Sequence, residues 1–271
     1  ETLVNDSERL AEVRRRLADV SWFMRALSEP IARMANKQDE CTGRFWEGRF
    51  KAQRITDEAG LLACAMYVDL NPVRAAMASS PDEAKHTSAY DRIRGERGQE
   101  VPSAAFDLVP ISREVAAGDL IRTPVDELKE RKRKRVNGLG KKIRRDAWLA
   151  RLELSPRVSS EKPQVSRSGV RASDKGFLCM TLSDYLSLLR WTARSSPLAE
   201  QGAQRKVPPR LQGGLSRLGI DASMWRDLVW NYKRYFGQSR IAGSPDSMSR
   251  HAQESGGHWA RGQAAVRECF V

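Results

Sequence analysis

The chain has no apolar run of about 18 residues, so no membrane-spanning helix and no membrane partner is expected. Its opening, ETLVNDSERLAEVRRRL, is polar and lacks the apolar stretch of a signal peptide. The four cysteines, Cys41, Cys64, Cys179 and Cys269, lie far apart without a C-x-x-C pair. That spacing builds no zinc site and suits a reducing cytoplasm. Histidine is scarce, at three: His86, His251 and His258. His251 and His258 stand seven apart, but Gly256-Gly257 interrupts any helix that would put them on one face, and no carboxylate–histidine cluster accompanies them. No glycine-rich phosphate loop and no G-x-S-x-G elbow occurs, which removes nucleotide hydrolysis of that type and serine-elbow hydrolysis.

Positive charge is abundant. The 271 residues carry a formal net charge of +13, and a pI near 10.0 goes with a mean hydropathy of −0.57. Such a balance favours polyanionic partners, with folded parts separated by solvated segments. Residues 129–145, KERKRKRVNGLGKKIRR, hold ten basic residues and one acid, among them Lys132, Arg133, Lys134 and Arg135. This tract reads as a solvated stretch suited to sequence-independent contact with phosphates, weakening steeply with salt.

Periodicity outlines the elements. Residues 7–37 read as helix, with Ser7 able to cap it and a kink or fresh start at Pro30. Phe23, Leu27, Ile31 and Met34 form one apolar face. TGRFWEGRFKAQRI, residues 42–55, reads as extended segment or hairpin, with Arg44, Arg49, Lys51 and Arg54 interleaved with Phe45, Trp46 and Phe50. ITDEAGLLACAMYVDL then reads as a helix capped by Thr56 or Asp57, ended by Asn71-Pro72. Residues 154–176 read as linker. TLSDYLSLLRWTAR is a capped amphipathic helix. In residues 221–237, Trp225, Leu228, Val229, Tyr232 and Phe236 form one stripe, suited to a core more than to base stacking.

Tyr67 and Asn71 stand four apart in MYVDLNPVRAAMA. Each alone has an ordinary reading, a half-buried tyrosine and a helix cap. Together with the preceding motif they carry a resemblance. Residues 43–81 resemble the back of the catalytic domain of single-tyrosine (HUH) transposases, in the branch associated with repetitive extragenic palindromes. That family shows G-x-aromatic-W-x-x-R-aromatic-K before a helix ending in Y, an apolar residue, any residue, an apolar residue, then N-P-V-R-A-G. Here stand Trp46, Arg49, Phe50 and Lys51, then Tyr67, Val68, Leu70, Asn71, Pro72, Val73, Arg74 and Ala75, with Ala76 in place of the glycine. The likeness spans roughly residues 15–95.

The resemblance implies a mechanism in which Tyr67 attacks a phosphodiester of single-stranded DNA near a hairpin, leaving a 5′-phosphotyrosine and a free 3′-hydroxyl. It implies a divalent metal, Mg²⁺ or Mn²⁺, held by a His-apolar-His pair, with Asn71 as a further ligand; the cap role of Asn71 competes. Arg44, Arg49, Lys51, Arg54 and Arg74 would meet DNA phosphates, joined by Lys132 to Arg135. No His-apolar-His pair occurs in the chain, and the first residue is not Met. The expectation is therefore a fragment: residues 1–95 as the C-terminal portion of an α+β catalytic domain with a ferredoxin-like sheet, residues 96–176 as a basic, largely flexible linker, and residues 177–271 as a helical domain for DNA-end binding or homodimer contact. The chain as given is expected to be mainly helical, cytoplasmic and nucleoid-associated, and unable to cleave DNA alone. The alternative is a basic DNA- or RNA-binding protein without chemistry.

Overall fold

The computed structural model describes residues 6–102, 142–154, 171, 174–196 and 206–271. They are helix-rich, with two small two-stranded sheets. Among the described residues no helix is long and apolar enough to cross a membrane. The chain divides into two units, one holding residues 6–52 and the other the described residues from Gln53 onward.

The first unit contains α1 (Ser7–Leu17) and α2 (Val20–Gln38), which pack on each other. Asp6, not Ser7, caps α1, its carboxylate accepting from the Arg9 N–H at 2.9 Å. The break expected at Pro30 falls instead between Leu17 and Val20. There Asp19 accepts from the Ser21 and Trp22 N–H groups and starts a new helix. Pro30 sits inside α2 without ending it. The Asp19 carboxylate satisfies donors of the first turn, which places the start of α2 at Val20. The segment after α2 forms no hairpin; among residues 39–53 there are turns and bends and no strand.

The second unit begins with β1 (Arg54–Ile55) and α3 (Glu58–Asp69). Next come α4 (Asn71–Arg74), α5 (Ser88–Glu96), β2 (Glu100–Pro102) and β3 (Lys142–Arg144). It continues with α6 (Leu182–Arg194), α7 (Pro209–Arg217), α8 (Trp225–Trp230), α9 (Tyr232–Phe236), β4 (Ile241–Ala242), α10 (Pro245–Glu254) and α11 (Gln263–Arg267). β1 pairs in parallel with β4, Arg54 opposite Ile241; β2 pairs antiparallel with β3, Glu100 opposite Arg144.

The sequence of α3, EAGLLACAMYVD, is apolar nearly all round, the pattern of a helix surrounded by protein. It packs against α8 and α9. Leu62, Met66 and Leu70 are fully buried in one cluster with Leu186, Leu189, Trp225 and Phe236. The stripe from Trp225 to Phe236 is thus core. It is carried by two short helices, because the chain breaks register at Asn231. One core therefore holds residues from both sides of the segment 103–173.

Two carboxylates, one at each end, hold α3 in place. Asp57 accepts from the Gly60 N–H at 2.8 Å, capping the helix, and from the Ser244 N–H at 2.7 Å. Gly60 lies so close to β4 that a Cβ there would stand 2.6 Å from the Ala242 carbonyl oxygen. At the other end the buried Asp69 carboxylate accepts from Ser88 Oγ at 2.9 Å, the Ala89 N–H at 3.2 Å and the Tyr185 hydroxyl at 2.7 Å. Buried carboxylates demand such partners.

Candidate nucleic-acid site around Tyr67

α3 runs almost unbroken into α4. Leu70, between them, keeps helical angles (φ −87°, ψ −4°), and the Arg74 N–H reaches the Leu70 carbonyl at 2.9 Å. Tyr67, Asn71 and Arg74 therefore stand at i, i+4 and i+7 on one helical face. The Arg74 guanidinium carbon lies 4.4 Å from the centroid of the Tyr67 ring, in cation–π range. The Tyr232 ring stacks on Tyr67 at 4.7 Å and 27°.

Tyr67 is half-buried, and its hydroxyl has no hydrogen-bond partner among the described residues. Arg74 Nη1 is shielded from solvent and likewise unpartnered. Asn71 is exposed and is not a cap. Leu70 occupies the cap position of α4, and the Asn71 carboxamide makes no capping bond. Because α3 continues through Leu70, the orphan donors that a capping carboxamide would satisfy do not arise.

The turn after Arg74 explains the block Val73-Arg74-Ala75-Ala76. The Ala76 N–H bonds the Val73 carbonyl at 3.1 Å and the Met77 N–H bonds the Pro72 carbonyl at 2.8 Å, which together make a Schellman motif. Ala76 takes the left-handed position, φ 55°. Glycine is the ordinary occupant there because it has no Cβ to clash.

Tyr232, read from the sequence only as part of an apolar stripe, is the neighbour that sequence reasoning missed. Its hydroxyl donates to Gln53 Oε1 at 2.8 Å, and Gln53 Nε2 donates to the Phe236 and Ser239 carbonyls at 2.7 and 3.0 Å. Burial, then the nearby Cys64 and Tyr67, raise the Tyr232 phenol well above its usual value, so it stays protonated at neutral pH. Burial also raises the Cys64 thiol.

Arg54 is exposed on β1, away from the helical face of Tyr67 in sequence but in the same unit. It lines a polar cavity of about 240 Å³ with Thr56, Ser247, Arg250, His251 and Glu254. Arg250 was not legible as its neighbour, since nothing in the spacing of residues 54 and 250 signals the pairing. In the first unit Arg44, Arg49 and Lys51 are exposed on the irregular segment after α2. Phe45 and Trp46 meet edge to face at 4.8 Å, and Trp46 Nε1 donates to the Ser28 carbonyl at 3.0 Å, tying the segment to α2. Phe45, Trp46 and Phe50 remain well exposed. Lys132, Arg133, Lys134 and Arg135 lie outside the described residues.

The residues around Tyr67 do not fit a divalent metal centre. One carboxamide oxygen, that of Asn71, is a suitable hard donor but does not make a site. Among the described residues no group of three or more His, Cys, Asp or Glu stands together to hold an ion. His251 is engaged with Glu254 at 3.2 Å, and His258 is exposed beyond the end of α10.

No family model, curated protein or solved structure matches the chain.

Proposed function

We propose that this chain is the tyrosine-bearing part of a single-tyrosine transposase acting on single-stranded DNA. The observation that carries the reading is the face formed by Tyr67, Asn71 and Arg74, with an unpartnered phenol beside an unpartnered guanidinium nitrogen. In the reaction Tyr67 Oη bonds to phosphorus and the bond from phosphorus to the 3′-oxygen breaks. The phenol proton ends on the freed 3′-hydroxyl. Arg74 offers charge to the non-bridging oxygens as they gain it. Stacking on Tyr232 fixes the Tyr67 ring, which reduces the orientational freedom lost on attack. Arg44, Arg49, Lys51 and Arg54 supply backbone contacts whose strength falls with salt.

No His-apolar-His pair occurs in these 271 residues, and the described residues form only two-stranded sheets, so the chain by itself is expected to bind DNA and not to cut it. The test uses the product of the whole genomic reading frame and a labelled hairpin-containing single strand with Mn²⁺. The expected result is an adduct stable to detergent that Tyr67→Phe abolishes, with salt-sensitive binding kept. A covalent adduct from the 271-residue chain alone would overturn the view that it is catalytically incomplete.

The second reading is a nucleic-acid-binding protein without chemistry. The net charge of +13 favours it. It predicts no adduct from any form of the protein and binding indifferent to Tyr67→Phe.

A further inference from the structure

A cavity of about 520 Å³ lies in the second unit, between α5, the segment following β3 and the start of α6. Four arginines are among the residues that line it, Arg92, Arg144, Arg151 and Arg171, with the acids Asp146 and Glu153. Asp146 is already taken, accepting from Arg144 Nε at 3.0 Å and Nη2 at 2.9 Å. Arg92 is 6% exposed and donates through Nη2 to the Ala150 carbonyl at 2.9 Å. Arg171 Nε is buried and has no hydrogen-bond partner among the described residues. The nearest carboxylate oxygen, on Asp174, is 3.7 Å from it, an ion pair beyond hydrogen-bond reach. Burial lowers the proton affinity of Arg92 most, and Arg171 acts in the same direction, while Tyr185, Asp69 and Asp146 oppose them.

Two partly desolvated cations that repel each other, one with an unsatisfied donor, are costly unless an anion joins them. The guanidinium fork matches the oxygens of a phosphate group. Leu149, Leu152 and Leu182 give the same cavity an apolar wall. Its size lies in the range of small-ligand sites.

We propose that this cavity binds a phosphate-bearing ligand of mononucleotide size, with Arg92, Arg151 and Arg171 on the phosphate and the leucines on the flat apolar part. The site is independent of the chemistry at Tyr67 and stands or falls separately from it. Two sources carry this chemistry, a free nucleotide and the terminal phosphate of a nucleic-acid strand.

The experiment is calorimetric titration of the 271-residue chain with deoxyadenosine monophosphate and with deoxyadenosine. The nucleotide is expected to give saturable binding and the nucleoside none. Arg171→Gln and Arg151→Gln, checked for folding by circular dichroism, are each expected to weaken binding about tenfold, the value of one charge-assisted contact. Arg217→Gln, on α7 and outside the cavity, leaves the affinity unchanged. A short oligothymidylate with a 5′-phosphate, compared with its hydroxyl form, separates the sources. A preference for the phosphorylated end that Arg171→Gln removes assigns the site to strand termini, and no preference assigns it to the free nucleotide. Equal heats from nucleotide and nucleoside, no saturable binding, or an affinity untouched by both arginine variants would overturn the proposal.

Discussion

α2 and α3 are both apolar helices of this chain, and they meet opposite fates. Phe23, Leu27 and Met34 of α2 are 60%, 46% and 66% exposed, and no described residue among 6–52 is buried. Leu62, Ala63 and Met66 of α3 are wholly shielded. The difference lies in what covers them. α3 has α8 and α9 packed on it, and the stripe from Trp225 to Phe236 supplies large side chains to fill the space. An apolar stripe stabilises only when a second surface removes it from water. α2 relies on local devices instead: the Asp19 cap, the Glu29–Arg33 ion pair, the Trp46 tie, and Arg16 and Arg25 within 4.5 and 5.3 Å of the Trp22 ring centroid. Such exposed contacts contribute little each.

The contrast is most easily broken at the core. Leu62→Ala is expected to cost about 2–5 kcal/mol, and Leu27→Ala less than about 0.5 kcal/mol, in urea unfolding of the same chain. Equal effects would mean that α2 is covered in solution. Ala76→Gly sharpens the comparison from the stabilising side. Relieving the left-handed alanine should add about 0.5–1 kcal/mol to the second unit, read as a higher urea midpoint with an unchanged slope. The smallest effect concerns acid. Burial raises the Asp82 carboxyl, but Arg190 and Arg97 outweigh it and leave the group below the ordinary aspartate value. The stability it provides is present above about pH 4 and is lost as pH falls through the folded value. Asp82→Asn should lower stability by less than about 1 kcal/mol above pH 5, with the two proteins converging in acid, so that the acid limb is flatter in the variant.

What was legible in the sequence was local. The Thr181 cap of α6 and the Asp57 cap of α3 follow from residues within three positions of the donors they satisfy. The core role of Trp225 and Leu228 follows from helical spacing. Pro30 misled because the helix start is set by the Asp19 cap, and α2 runs on through Pro30. Asn71 looked like a cap because Asn-Pro is a common helix boundary, yet Leu70 stays helical and carries the chain through it. The pairing of β1 with β4, the stack of Tyr232 on Tyr67 and the shared cavity of Arg54 and Arg250 join distant positions, which leaves no periodic trace. The four-residue spacing of Tyr67 and Asn71 was legible because it is a local property of a helix, whereas Arg74 joins their face only because the helix expected to end at Asn71-Pro72 continues through Leu70.

Asp57 receives the Ser244 N–H across a separation of 187 residues. Contacts of that separation form slowly, because a long loop must close before they contribute anything. During synthesis α3 emerges long before Ser244, Trp225 or Tyr232 exists. The side of α3 that packs on α8 and α9, and Tyr67 with it, lacks these partners until the chain is nearly finished. The interval in which this helix is open to aggregation is thus set by how long the ribosome takes to reach the last sixth or so of the message, at roughly 5–20 residues per second.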